Sequence, residues 1–210
     1  MRKIQQEAKK LISGSHASHS WEHTLRVYNL AVHIGKKERA DLKILEAAAL
    51  LHDIARHKED LSGGKIDHAE MGALMAEKIL KKYKFSQKEI EKIKHCIVCH
   101  RFRGKNIPKS KEAKILFDAD KLDSIGAVGI GRTYLFAGEI GSKLHNDKNT
   151  NILKTKAYTK EDTGYREFVF KLSKIKDRML TREGKRLAKE RHKFMVEFFD
   201  RFKKEIEGKL

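Results

Sequence analysis

Apolar residues recur at helical spacing through most of this chain, and only one proline, Pro108, interrupts its 210 residues. His23, Val27, Leu30 and Ile34 share a stripe, as do Leu45, Ala48, Ala49 and His52, and again Ile90, Ile93, Ile97 and His100. Offsets of three, four and seven belong to the α-helix and not to a strand. A sandwich or repeat array with proline-marked turns is disfavoured, and an all-α chain is expected. Helix-start signals agree. Asp41, Asp67 with Glu70, and Ser86 with Glu89 stand just before apolar periods, where a side-chain oxygen can accept from free backbone N–H groups.

The same reading divides the chain. Residues 2–12 form a short basic helix, Gly14 to Ser20 a polar break, and Leu42 to Ala55 a central, surrounded helix ending in His52 and Asp53. A helix from Ser110 runs through Asp123, and Gly126, Gly129 and Gly131 follow it. No strand precedes those glycines, so they indicate close helix packing or helix breaks and not a dinucleotide loop. Gly138 to Asp162 lacks a period and reads as a lid or an insert. One amphipathic helix is expected across Tyr165, Phe168, Leu172, Ile175 and Met179, and a longer one from Leu187 to Ile206. Residues 1–137 are thus expected to form a helical core, with the 138–210 loop and helices packed on it.

Lys and Arg number 47 against 29 Asp and Glu, a formal net charge of +18. Such an excess concentrates anions such as nucleotides, nucleic acid or acidic lipid. It equally suits a solvated lysine-rich surface. No aromatic-and-basic alternation of a single-strand-binding surface is present, so nucleic acid is not the expected partner. No apolar run reaches the length of about 18 residues needed to span a bilayer. Met1 to Gln6 lacks the apolar run of a signal peptide, so a cytoplasmic protein is expected.

Cys96-Ile97-Val98-Cys99-His100 has the spacing of a haem-attachment sequence. That chemistry belongs to exported chains, and a redox CxxC pair would need a βαβ setting that is missing here. Two reduced thiols packed in a helix is the expected state.

Three inward-facing sets of imidazole or acid groups remain: His23, the His52-Asp53 pair, and Asp120. Each stands where an apolar residue is expected. A lone inward histidine is usually a hydrogen-bonded core residue, but that reading weakens when four such groups recur on buried faces. Two imidazoles and two carboxylates make a mixed nitrogen and oxygen site suited to a divalent transition ion.

These residues and their surroundings carry a resemblance. Trp21-Glu22-His23-Thr24-Leu25-Arg26-Val27, Ala48-Ala49-Leu50-Leu51-His52-Asp53-Ile54 and Asp118-Ala119-Asp120-Lys121-Leu122-Asp123-Ser124-Ile125-Gly126 resemble the H…HD…D signature of the HD-domain metal-dependent phosphohydrolases. The likeness runs from about residue 15 to 137, and the C-terminal helices resemble those of small stand-alone members. It implies an all-α HD bundle with a C-terminal helical extension. It also implies one divalent ion (Mn, Fe, Co, Ni, Zn or Mg) held by His23, His52, Asp53 and Asp120. His68 and His100 fall where two-metal members place further histidines, to bind a second ion or contact phosphate. Arg26 and Lys121 are candidate phosphate holders, with Arg101 behind them. Asp53 is assigned to the catalytic centre, and Asp123 is expected to orient a ligand or water there.

The implied activity is hydrolysis of a nucleotide or related phosphate ester by a metal-activated water. Some members carry an acid three or four positions after the dyad; Arg56 and His57 stand there instead. Arg56 favours a more highly charged substrate, such as a nucleoside triphosphate cleaved to monophosphate and pyrophosphate. The alternative is a non-catalytic module binding nucleic acid or a signal nucleotide through the basic surface. Oligomeric state is not legible.

Overall fold

The structure, a computed structural model, describes residues 1–12, 20–101 and 106–210, which contain helices, turns and loops and no strand. Most of the polar break expected at Gly14 to Ser20 lies outside the described residues. Two compact units are present: Met1–Lys121 with Leu180–Gly184, and Leu122–Met179 with Lys185–Leu210.

The first unit contains α1 (Arg2–Ile12), α2 (Trp21–Glu38), α3 (Leu42–Leu51), α4 (Arg56–Leu61), α5 (His68–Lys82), α6 (Gln87–Cys99) and nearly all of α7 (Lys111–Leu122). Helix α3 is its centre and packs against α1, α2 and α6. Its residues Ile44, Leu45, Ala47, Ala48, Ala49, Leu50 and Leu51 are all buried, leaving only Lys43 and Glu46 as a short polar edge. Each buried leucine there stabilises the fold by about 1.5–3 kcal/mol relative to exposure. Asp41 starts α3 by accepting from the Lys43 and Ile44 N–H groups at 3.1 and 3.3 Å. Asp67 starts α5 in the same way, and Ser86 with Glu89 forms a reciprocal capping box on α6.

The sequence period suggests that α3 continues to Ala55, yet the helix ends at Leu51. There the hydrogen bonds shorten their reach: the Ile54 N–H donates to Leu51 O and the Arg56 N–H to Asp53 O, each three residues back. Apolar periodicity does not register this change, because Ile54 and Ala55 stay buried in either form. The consequence is that His52 and Asp53 occupy a tight turn between α3 and α4.

Cys96 and Cys99 are free and buried on α6. Burial pushes the Cys96 thiol up to about 12 and raises Cys99 as well. Since the thiolate is the reactive form, native protein at pH 8 is expected to give well under one thiol equivalent with a disulfide reagent. Denatured protein should give both. Rapid native labelling would contradict the packed, protonated state.

The second unit holds α8 (Gly126–Glu139), a 3-10 turn at Ile152–Lys154, α9 (Gly164–Phe170), a 3-10 segment at Leu172–Arg178, and α10 (Arg182–Ile206) from Lys185 onward. Gly126 opens α8 at φ +80°, and a Cβ on Gly129 would lie 2.3 Å from the Ser124 carbonyl oxygen. Gly129 therefore serves a close approach of backbone, and Gly126 a left-handed conformation. The single helix expected across 165–179 is in fact two pieces, because Lys171 leaves the helical region at φ −130°, ψ −57°. A 3-10 segment keeps residues three apart in line, so Leu172 and Ile175 remain buried and the apolar pattern looks helical either way.

The irregular stretch before α9 is tied down by side chains. Buried Arg166 donates through Nε to Thr155 Oγ1, through Nη1 to Asp162 and through Nη2 to the Thr155 carbonyl. Thr163 donates to Asn146. Among the described residues no helix is long and apolar enough to cross a membrane.

Candidate metal centre

Four elements of the first unit deliver imidazoles to one place. His23 comes from the first turn of α2, His52 from the end of α3, His68 from the first residue of α5, and His100 from the cap position after α6. All four are buried, at 3% exposure or less. Asp53, in the turn after α3, lies among them, and Asp120 approaches from the last turn of α7.

Asp53 divides the rings into two pairs. Its Oδ2 lies 3.6 Å from Nε2 of both His23 and His52. Its Oδ1 lies 3.3 Å from His68 Nε2 and 3.4 Å from His100 Nε2. The rings of each pair face one another through Nε2, at 3.4 Å for His23 and His52 and 3.2 Å for His68 and His100. Asp120 Oδ1 joins the first pair, 3.4 Å from His23 Nε2. Two sets of donors result, His23 with His52 and Asp120, and Asp53 with His68 and His100, each within 4.8 Å of one another.

The donor set fits a divalent ion. Ligands bound at about 2.1 Å around a tetrahedral or octahedral centre stand roughly 3.0–3.4 Å apart, close to the spacings found. The tautomers fit too. The Nδ1–H of His52 donates to Ala49 O at 2.8 Å, and that of His100 to Ile97 O at 2.5 Å. His68 Nδ1–H donates to the Glu59 carboxylate. In each ring the outer nitrogen thus holds the proton, leaving the Nε2 lone pair facing the centre, the usual arrangement of a ligating histidine.

Electrostatics act in the same direction at His52 and Asp120 and against it at His68. Burial lowers His52 to about 4, despite the opposing pull of Asp53, so the ring is neutral at neutral pH. Burial works to raise Asp120, but the Lys121 ammonium and the His23 ring overcome it and hold the carboxyl well below its usual range. Burial pushes His68 down; the hydrogen bond and charge of Asp53, aided by Glu59, outweigh it and raise the ring.

Not every candidate stands as the sequence suggested. Lys121 Nζ turns inward, donating to Asp120 Oδ2 at 2.5 Å and His100 O at 2.9 Å. It braces two of the donor residues. Arg26 is half-buried on α2, one turn past His23. Arg56 lies 3.3 Å from Glu59 and 3.4 Å from Asp60, so its charge is balanced within α4, which weakens its use as evidence for a triphosphate. Arg101 donates to Asp67 at 2.6 Å and Glu59 at 3.2 Å. Asp123 belongs to the second unit, where its carboxylate accepts from Arg132 at 2.7 Å.

Sequence reasoning missed Glu59. It stands six positions after Asp53 in a run of charged residues, and no periodic signal separates it from Asp60.

The sequence matches the family model of the HD domain over residues 20–125. It is 35% identical over 202 residues to YpgQ of Bacillus subtilis (strain 168), covering 94% of this chain and 89% of that protein. The fold is similar to the crystal structure of Bacillus subtilis YpgQ in complex with ADP, at 33% identity and a TM-score of 0.74, over 97% of this chain and 93% of that one. It is also similar to an HD-superfamily hydrolase from Bacillus thuringiensis, at 30% identity and a TM-score of 0.77, over 98% and 96% of the two chains.

Proposed function

The chain belongs to the HD domain family, and from that premise we propose that it is a metal-dependent phosphohydrolase acting on a nucleotide. The observation that carries this reading is the Asp53 carboxylate, with one oxygen toward His23 and His52 and the other toward His68 and His100. A nucleotide substrate is supported by the basic composition and by the ADP complex of the Bacillus subtilis relative.

His23, His52, Asp53 and Asp120 would hold one divalent ion, and Asp53, His68 and His100 a second. A divalent ion held by these residues would supply an acidified water for hydrolysis and offset charge on the phosphoryl oxygens. The chain's own groups prepare that step. Burial keeps His52 neutral, and so able to offer a lone pair. Lys121 keeps Asp120 ionised and holds it against the backbone of His100. Asp53 spans both sets without moving. Arg26, half-buried one turn past His23, is the candidate to take a phosphate oxygen.

The test is a panel of nucleoside mono-, di- and triphosphates with Mn²⁺, Co²⁺, Ni²⁺ or Mg²⁺, with product identification and elemental analysis. Release of phosphate or pyrophosphate that stops on chelation is the expected result. Protein that binds the metal yet hydrolyses no member of the panel would overturn the reading.

A further inference from the structure

The Nδ1 partners of His52, His68 and His100 differ in kind. His52 and His100 each donate to a carbonyl three residues back in their own helix, Ala49 O and Ile97 O. Those acceptors are backbone, built in wherever a histidine ends a helix. His68 has no such option. It is the first residue of α5, so no helical turn precedes it to offer a carbonyl. Its Nδ1 partner is a side chain from another element, the Glu59 carboxylate on α4.

Glu59 is 8% exposed, and a buried carboxylate is costly unless paired. Oε2 meets His68 Nδ1 and lies 3.3 Å from Arg56 Nη1, while Oε1 accepts from Arg101 Nη2 at 3.2 Å. Arg101 is itself steadied by Asp67, the residue that caps α5. The carboxylate is therefore fixed on both oxygens, directly behind the ring whose Nε2 faces Asp53 and His100.

We propose that Glu59 is a positioning residue that sets the tautomer and orientation of His68, so that Asp53, His68 and His100 bind a second divalent ion. This rests on the two-ion reading above. The plainer possibility is that Glu59 only neutralises Arg56 and Arg101. The two differ in what removal does. A charge-balancing acid affects stability alone, whereas a positioning acid affects one ion and spares the other.

The experiment is Mn²⁺ binding to the full chain, followed by elemental analysis, competition with a chelator, and the paramagnetic spectrum of the bound ions. Wild type should bind two ions with the spectrum of an interacting pair. Glu59→Ala should keep the first ion, weaken the second by about 10–100-fold, and show a single-ion spectrum. Glu59→Gln retains an oxygen that can accept from Nδ1–H, and should recover part of the second-ion affinity, which a charge-balancing role would not produce.

Two tightly bound ions in Glu59→Ala, or equal loss of both ions in Glu59→Gln, would overturn the role. A wild type that binds only one ion would overturn it together with the two-ion reading. Two ions without nucleotide turnover would refute the proposed activity while supporting this assignment.

Discussion

Asp53→Ala should bind neither ion and should lose nucleotide hydrolysis by about a thousandfold or more. The size follows from the several kcal/mol that a metal centre contributes to the transition state, at about 1.4 kcal/mol per factor of ten. Its two oxygens face the two donor sets, so its loss removes a ligand from both. The fold should survive, because His52, His68 and His100 keep their own Nδ1 partners. Elemental analysis, steady-state kinetics and circular dichroism together check the outcome. A folded Asp53→Ala protein that still hydrolyses its nucleotide would refute the assignment of the centre.

A second large effect is expected two residues before Asp120. Asp118 is fully buried and accepts three bonds: from Leu180 N–H at 2.9 Å, Thr181 N–H at 2.8 Å and the Thr181 hydroxyl at 2.6 Å. It ties α7 to the segment at the start of α10, within the first unit. Gly184 is shaped around it, since a Cβ there would lie 2.2 Å from Asp118 Oδ2. Asp118→Ala strands three donors away from water and should destabilise the protein by about 3–5 kcal/mol. For a chain of this length that corresponds to roughly 10 °C in thermal midpoint.

Asp118→Asn keeps one acceptor oxygen but turns an amide donor toward a backbone N–H, so an intermediate loss is expected. Thermal unfolding of the metal-free variants, compared with wild type, checks both. A loss below about 1 kcal/mol for Asp118→Ala would show that the three bonds are replaced by solvent.

The three acids of Asp118-Ala119-Asp120-Lys121-Leu122-Asp123 show where sequence reading reached its limit. Sequence reading set Asp120 among the inward-facing groups, the resemblance gave Asp123 the task of orienting a ligand or water, and Asp118 was given no role. In the structure Asp118 anchors backbone N–H groups, Asp120 joins the imidazoles, and Asp123 pairs with Arg132. Which partner each meets depends on groups far along the chain, 97 positions away for His23 with Asp120 and 63 for Thr181 with Asp118. Lys121 and Glu59 follow the same rule. A lysine beside a ligand suggested a phosphate holder, and an acid within a charged run suggested nothing.

The all-α class, most helix starts and the inward faces of His23, His52 and His100 were determined by sequence alone. They depend on local quantities: a 3.6-residue period fixes which side chains share a face, and a cap forms within three residues of itself. The end of α3 at Leu51, the split after Phe170, the division of Asp53 between two imidazole pairs and the carboxylate behind His68 were decided only by tertiary structure. Each is a meeting of donor and acceptor atoms, or a shift in hydrogen-bond reach, that leaves the buried pattern unchanged. Periodicity records only burial, and burial is the same whichever partner a polar side chain finds.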